Sequence, residues 1–180
     1  VENLTTTLFL KQGPLRATEN VSFSVYPGET LGIVGESGCG KSMTALSVMR
    51  LLPRGLGRIT SGSVTIAGVG DITKLSDRQM RRVRGNDVSM IFQEPMTSLN
   101  PVFRIGYQIS EAFRAHTNAT RAEARRLSIE MLDMVGIPSP EERYRSFPHQ
   151  MSGGMRQRAM IAMALACRPK VMLADEPTTA

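Results

Sequence analysis

Two hydrophobic periods alternate along the chain. Val21 to Val25 runs apolar, polar, apolar, polar, apolar, and Tyr26-Pro27-Gly28 follows as a turn. Thr30 to Val34 is apolar and rich in β-formers, which predicts a strand. With the residues before it, this makes residues 1–34 a set of short strands broken by turns. A helix is predicted from Lys41 to about Leu52, where Pro53 stops it. Residues 59–68 predict a strand pair punctuated by Gly62 and Gly68. Val88 to Phe92 and Val171 to Ala174 are short apolar runs of the kind that fill buried parallel strands. Between them, residues 103–167 read as helical. Thr120 and Glu123 form a capping box, in which hydroxyl and carboxylate each satisfy an orphan backbone N–H. Leu127, Met131, Met134 and Val135 then share one helix face, and Gly136 with Pro138 ends the helix. The pattern is α/β: a core sheet carrying a helical insert, of a length suited to one domain.

Composition narrows this little. A chain with 41% hydrophobic and 21% charged residues is globular. Its longest apolar run, ending at Cys167, falls far short of the roughly 20 residues that span a bilayer. Cys39 and Cys167 cannot build a disulfide framework, and no Cys/His spacing suits zinc. No export signal is visible, so the expected compartment is the cytosol, and the sequons at Asn3, Asn20 and Asn118 read as accidents. The net charge of +6 is carried mainly by arginine and suits nucleic acid, acidic lipid or phosphate without choosing among them. The chain opens on Val1 and stops at Ala180, four residues past Glu176. It is therefore read as an internal fragment of a longer protein.

The chemistry is concentrated in four places. Gly35-Glu36-Ser37-Gly38-Cys39-Gly40-Lys41-Ser42 matches Gly-x4-Gly-Lys-Ser, the phosphate-cradling loop. Its glycines let successive N–H groups face phosphate oxygens at the positive end of a helix. Lys41 would reach the β- and γ-phosphates and the Ser42 hydroxyl would ligate Mg²⁺. The bland alternative is a chance glycine turn. Asp175 and Glu176 follow an apolar strand, where acids face the ligand crevice of open α/β sheets. Asp175 would hold Mg²⁺ through water, and Glu176 would orient and activate an attacking water. Alone, the pair could be solvated acids at a strand end. Gln93 follows Val88–Phe92 in the same way and could meet Mg²⁺ or that water, or be an ordinary loop glutamine. Ser152-Gly153-Gly154 opens an apolar helix with a Ser N-cap, a second anion-binding helix end or a flexible turn before a core helix.

Taken in order, these four elements resemble those of ABC transporter ATPase domains. Gln93-Glu94-Pro95-Met96-Thr97-Ser98-Leu99-Asn100-Pro101 and Phe147-Pro148-His149-Gln150-Met151-Ser152-Gly153-Gly154-Met155-Arg156-Gln157-Arg158 are similar to the dipeptide, oligopeptide and nickel importer branch. The resemblance implies a P-loop NTPase core with a mixed sheet, an N-terminal antiparallel β subdomain and a helical subdomain inserted at about 97–155. It implies ATP and Mg²⁺ as ligands, with Glu176 and Gln93 catalytic. Ser42, Gln93 and Asp175 would serve the metal. Ser152, Gly153, Gly154 and Met155 would form the signature facing a partner's ATP. The usual signature is Leu-Ser-Gly-Gly-Gln, and Met151 and Met155 replace its outer residues. An aromatic on the first strand stacks on adenine in relatives. Leu8 falls in that register, and Phe9 beside it is the candidate.

The resemblance further implies pairing with a second ATPase subunit, identical or not, and work on two membrane permeases fed by a substrate-binding protein. No nucleic acid is expected. Location would be peripheral, on the cytoplasmic face of the inner membrane, with residues near 94–110 as the coupling surface. A rival reading is a soluble ABC-type ATPase of DNA repair or translation, which the charge would suit. A small-molecule kinase is disfavoured by Ser152-Gly-Gly before Asp175, and a GTPase by the lack of an Asn-Lys-x-Asp guanine reader. Because relatives carry a further Asp loop and a γ-phosphate His beyond this point, the fragment alone is expected not to hydrolyse ATP.

Overall fold

A computed structural model of the chain describes residues 1–93 and 98–177. It resolves into two compact units, residues 1–81 and 82–180.

The first unit is built on an antiparallel sheet. Strand β1 (Glu2–Leu10) turns at Lys11-Gln12 into β2 (Gly13–Val21), and β3 (Gly57–Ser63) pairs on the other side of β1. Ladder pairs run from Leu4↔Val21 to Leu10↔Gly13 on one side and include Thr6↔Ile59 and Leu8↔Gly57 on the other. Helix α1 (Lys41–Val48) packs on this sheet. The contact includes a buried hydroxyl pair, Thr6 Oγ1 to Ser47 Oγ at 2.7 Å, which satisfies two polar groups that no water reaches. A small hairpin, β4 (Thr65–Ile66) with β5 (Gly70–Asp71), leads through a 3-10 turn to α2 (Asp77–Val83).

Three expectations fail here. Residues 30–34 carry no strand; Ile33 is 50% and Val34 96% exposed. A parallel strand exists only through its ladder partners. Among the described residues this run has none, so its apolar composition records a preference for cover and no more. The 21–25 alternation likewise ends as a strand at Val21, although Phe23 and Val1 exchange backbone bonds of 2.9 and 3.0 Å. Helix α1 also stops earlier than Pro53 demands. Arg50 adopts a left-handed φ of 50°, its N–H bonds Ser47 O, and Leu51 N–H reaches back to Leu46 O. That double closure terminates a helix without proline.

In the second unit β6 (Val88–Ile91) and β7 (Val171–Ala174) run parallel and in register, Val88↔Val171 to Ile91↔Ala174. Both predicted parallel strands are present. β6 is buried throughout, whereas β7 alternates between half-buried and exposed. Among the described residues the helices α3 (Ile105–His116), α4 (Arg121–Met134), α5 (Pro140–Arg145) and α6 (Gly153–Leu165) accompany them. Ile105, Ile109, Phe113, Leu132, Ile137 and Ala159 are among the residues of their shared core. Ser110 sits within it, bonded to Ser128 Oγ at 2.8 Å and Tyr144 OH at 3.1 Å. The Thr120–Glu123 capping box forms as predicted. So does the stop at Gly136, which takes φ 71° while Ile137 N–H bonds Leu132 O. The buried face of α4 is Ala124, Ser128, Met131 and Leu132; Met134, assigned to it by spacing, is 66% exposed. Helix α6 meets two neighbours. Ala159 and Ala162 enter the helical core, while Met160 and Ala164 pack on Ile91 of β6.

Candidate nucleotide site

The loop Gly35–Ser42 leads directly into α1, with Gly40 as N-cap and no side chain capping the first turn. Its leading N–H groups therefore have no acceptor of their own side-chain making, which is the condition for anion binding at a helix start. Gly40 has φ 97°, and a Cβ there would lie 2.7 Å from Ala17 O of β2, so this position admits only glycine. Glu36, Ser37, Gly38 and Cys39 are exposed. Lys41 Nζ donates to Gly35 O at 2.7 Å and Glu36 O at 2.9 Å, with Cys39 Sγ 3.8 Å away. The ammonium is thus held on the loop it serves. Ser42 is the second residue of α1, and Thr44 Oγ1 bonds Gly40 O at 2.9 Å, tightening the turn.

Phe9 lies on β1, 45% exposed, with the Arg58 guanidinium 5.9 Å from its ring centre. Leu8, its neighbour in the strand, projects to the opposite face and packs beside Gly57. A concavity of about 500 Å³ on this sheet, lined by Thr5, Thr7, Arg16 and Thr60 among others, includes no residue of the loop.

In the second unit the parallel pair brings three predicted residues together. Ile91 and Ala174 are ladder partners, and Asp175 N–H continues the ladder to Ile91 O at 3.0 Å. Gln93 and Glu176 therefore leave adjacent strand ends on the same side. Gln93 Nε2 donates to Glu176 Oε2 at 2.8 Å. A carboxylate only accepts, which fixes the Gln93 amide orientation and turns its Oε1 away as a separate acceptor. Glu176 has φ 48°, a left-handed conformation that costs a non-glycine residue roughly 1–2 kcal/mol. Such outliers concentrate at functional sites. Residues 94–97, which include the Glu94-Pro95 loop, lie outside the described residues.

Ser152 caps α6 as predicted, its Oγ accepting from Met155 N–H at 3.3 Å. The amides of Gly153 and Gly154 come ahead of it, where a helix offers no internal acceptor. A Cβ on either glycine would meet nothing within 4 Å. Met155 places its side chain against the helical core, so its part in the helix start is its backbone N–H. Two arginines clamp this region: Arg156 donates to Met151 O at 2.9 Å and Arg158 to Gly136 O at 2.7 Å. Gln157, which the motif reading passed over, donates through Nε2 to Pro177 O, directly after Glu176. Its only sequence signal is its place one turn into the helix.

A family model described as ABC transporter matches residues 18–179. The chain belongs to the ABC transporter family. Over all 180 residues it is 55% identical to a probable peptide ABC transporter ATP-binding protein of Sinorhizobium fredii, covering 53% of that protein. It is 50% identical to the dipeptide transport ATP-binding protein of Bacillus subtilis, again covering 53%. The chain thus spans about half the length of these relatives. A solved dimeric ATP-binding cassette in a post-hydrolysis state, bound to ADP and Pi, superposes with a TM-score of 0.86 at 28% identity, covering 99% of this chain and 74% of that one. The ABC ATPase cassette fold expected from the motifs is the fold found.

Proposed function

We propose that this chain is the nucleotide-binding region of an ATP-hydrolysing subunit of an ABC importer for peptides or related small solutes. The observation that carries the reading is the 2.8 Å bond between Gln93 and Glu176 at the ends of two parallel strands. That bond fixes the carboxylate at the strand end, where a general base has to be held in place. Gly35–Ser42 binds the phosphates, with Lys41 on the β- and γ-phosphates and Phe9 as the adenine contact. Glu176 accepts a proton from the attacking water. The water oxygen bonds to the γ-phosphorus, the bond to the β–γ bridging oxygen breaks, and ADP and phosphate result.

Mg²⁺ takes hard oxygen ligands, and the Ser42 hydroxyl, the Asp175 carboxylate and the Gln93 amide oxygen are donors of that kind. When bound it neutralises developing charge on the phosphate oxygens. The Ser152–Gly154 end of α6 serves the ATP of a second ATPase subunit, as the dimeric arrangement of the solved relative suggests. Two permeases and, through them, a binding protein are the remaining partners, met at the cytoplasmic face of the membrane. Among the described residues no helix is long and apolar enough to cross a membrane. Val102, Phe103 and Tyr107 are exposed apolar residues in the predicted coupling stretch, and suit a permease contact. The whole chain is read as one ATPase domain with its helical subdomain at about 97–155. A DNA-repair or translation role draws only on net charge, whereas the relatives' names concern peptide transport.

The test is Glu176→Gln in the full-length protein. It keeps size and hydrogen bonding and removes basicity. Turnover is expected to fall roughly 10²–10⁴-fold while ATP still binds. Near wild-type turnover would transfer the base role to another residue and sink the mechanism.

A further inference from the structure

Glu176 is held by more than Gln93. Its left-handed backbone, φ 48°, leaves the strand direction of β7 at once, so the carboxylate's placement depends on what fixes the turn. The preceding residue is fixed by Asp175 N–H on Ile91 O, and the side chain by Gln93. The following residue is fixed by Gln157, whose Nε2 donates to Pro177 O. Proline has no N–H to give the turn a ladder bond of its own, which makes that carbonyl its available backbone anchor.

Gln157 is itself rigidly carried. It is half-buried on α6 between Arg156, bonded to Met151 O, and Arg158, bonded to Gly136 O. The same helix packs Met160 and Ala164 on Ile91, the residue that receives Asp175 N–H. Helix and strand ends thus form one closed frame around Glu176. The free end of that frame is Ser152–Gly154, one turn before Gln157.

We propose that Gln157 is a positioning residue for hydrolysis: its side-chain amide fixes the Pro177 carbonyl, holds the left-handed turn at Glu176, and ties the general base to the phosphate-binding end of α6. This rests on the reading of Glu176 as the base. In this reading Gln157 acts through Glu176, by way of the Pro177 carbonyl that it holds.

The experiment uses the full-length protein and four variants: Gln157→Met, Gln157→Glu, Glu176→Gln, and Gln157→Met combined with Glu176→Gln. Methionine keeps length and helix propensity and cannot donate; glutamate keeps shape and, ionised, cannot donate either. ATP affinity by calorimetry is expected to stay within twofold in both single Gln157 variants. The kcat is expected to fall about 10- to 100-fold, the scale of a misplaced catalytic group. In the double variant, turnover is expected to match Glu176→Gln within twofold, because a residue acting through the base adds nothing once the base is gone. A merely structural role would lower affinity or melting temperature and would multiply with Glu176→Gln. Should the methionine variant fail to fold, the glutamate variant carries the same test. Wild-type kcat in a folded Gln157 variant, while Glu176→Gln is slow, overturns the inference alone. Wild-type turnover in Glu176→Gln overturns the reading of Glu176 as the base and this inference with it.

Discussion

Lys41 shows how one side chain serves two ends. Its ammonium rests on the carbonyls of Gly35 and Glu36, so the charge a phosphate needs is already at the loop. Lys41→Ala removes that charge and both bonds. Mg-ATP affinity of the full-length protein is expected to weaken by on the order of 1.5–3 kcal/mol, about tenfold or more, as read by calorimetry. Unchanged affinity would remove Lys41 from the site. Motif spacing was enough to propose Lys41, Ser42, Asp175 and Glu176, because loop and strand-end chemistry is local in sequence. It also found Ser152, whose cap bond is to a residue three positions on. Gln157 was not legible. Its partner is Pro177, twenty residues away, and only the packing of α6 beside β7 brings the two together. Phe9 shows the reverse case. An aromatic at the right place in a strand says nothing of which face it occupies, and here the guanidinium of Arg58 lies against it.

At the level of elements, local signals held where the element satisfies itself, and elsewhere only where a partner exists, as β6 and β7 do for each other. The α4 cap and its glycine stop depend on residues three to six apart, and both form. Residues 30–34 depend on ladder partners that their own sequence does not contain. The β4–β5 hairpin adds a case visible only in the structure. Asp71 Oδ1 accepts from Thr73 N–H at 3.0 Å and Thr73 Oγ1 at 2.6 Å, and Oδ2 pairs with Lys74 Nζ at 3.0 Å. The Thr73 hydroxyl, Lys74 and the Thr73 N–H favour the carboxylate against its partial burial, and lower its pKa from 3.8 to about 2. A depressed carboxyl contributes stability above its unfolded pKa and loses it as pH falls through the folded value. Asp71→Asn is therefore expected to lower the urea midpoint at pH 6. The gap from the parent should shrink between pH 4 and pH 2. A gap independent of pH would mean that the ionised form is not what the turn uses.

For the whole molecule, the family match and the cassette superposition give the fold, while each half of the candidate site is built within its own unit. Gly35–Ser42 leads into one helix start suited to phosphate, and Ser152–Gly154 opens a second. We propose that these two ends belong to different nucleotides, so that two ATPase subunits complete each other's sites. The direct measurement is the mass, by light scattering, of the full-length Glu176→Gln variant with Mg-ATP or Mg-ADP. It is made alone and mixed with the ATPase proposed as its second subunit. Gly154→Asp in the same background serves as control, since a side chain there meets nothing within 4 Å in the fold and would set a carboxylate where phosphate binds. ATP-dependent pairing is expected in one of the two arms, with none in ADP and its loss in the Gly154→Asp control. Unchanged mass with ATP in both arms, or pairing that survives Gly154→Asp, would contradict it.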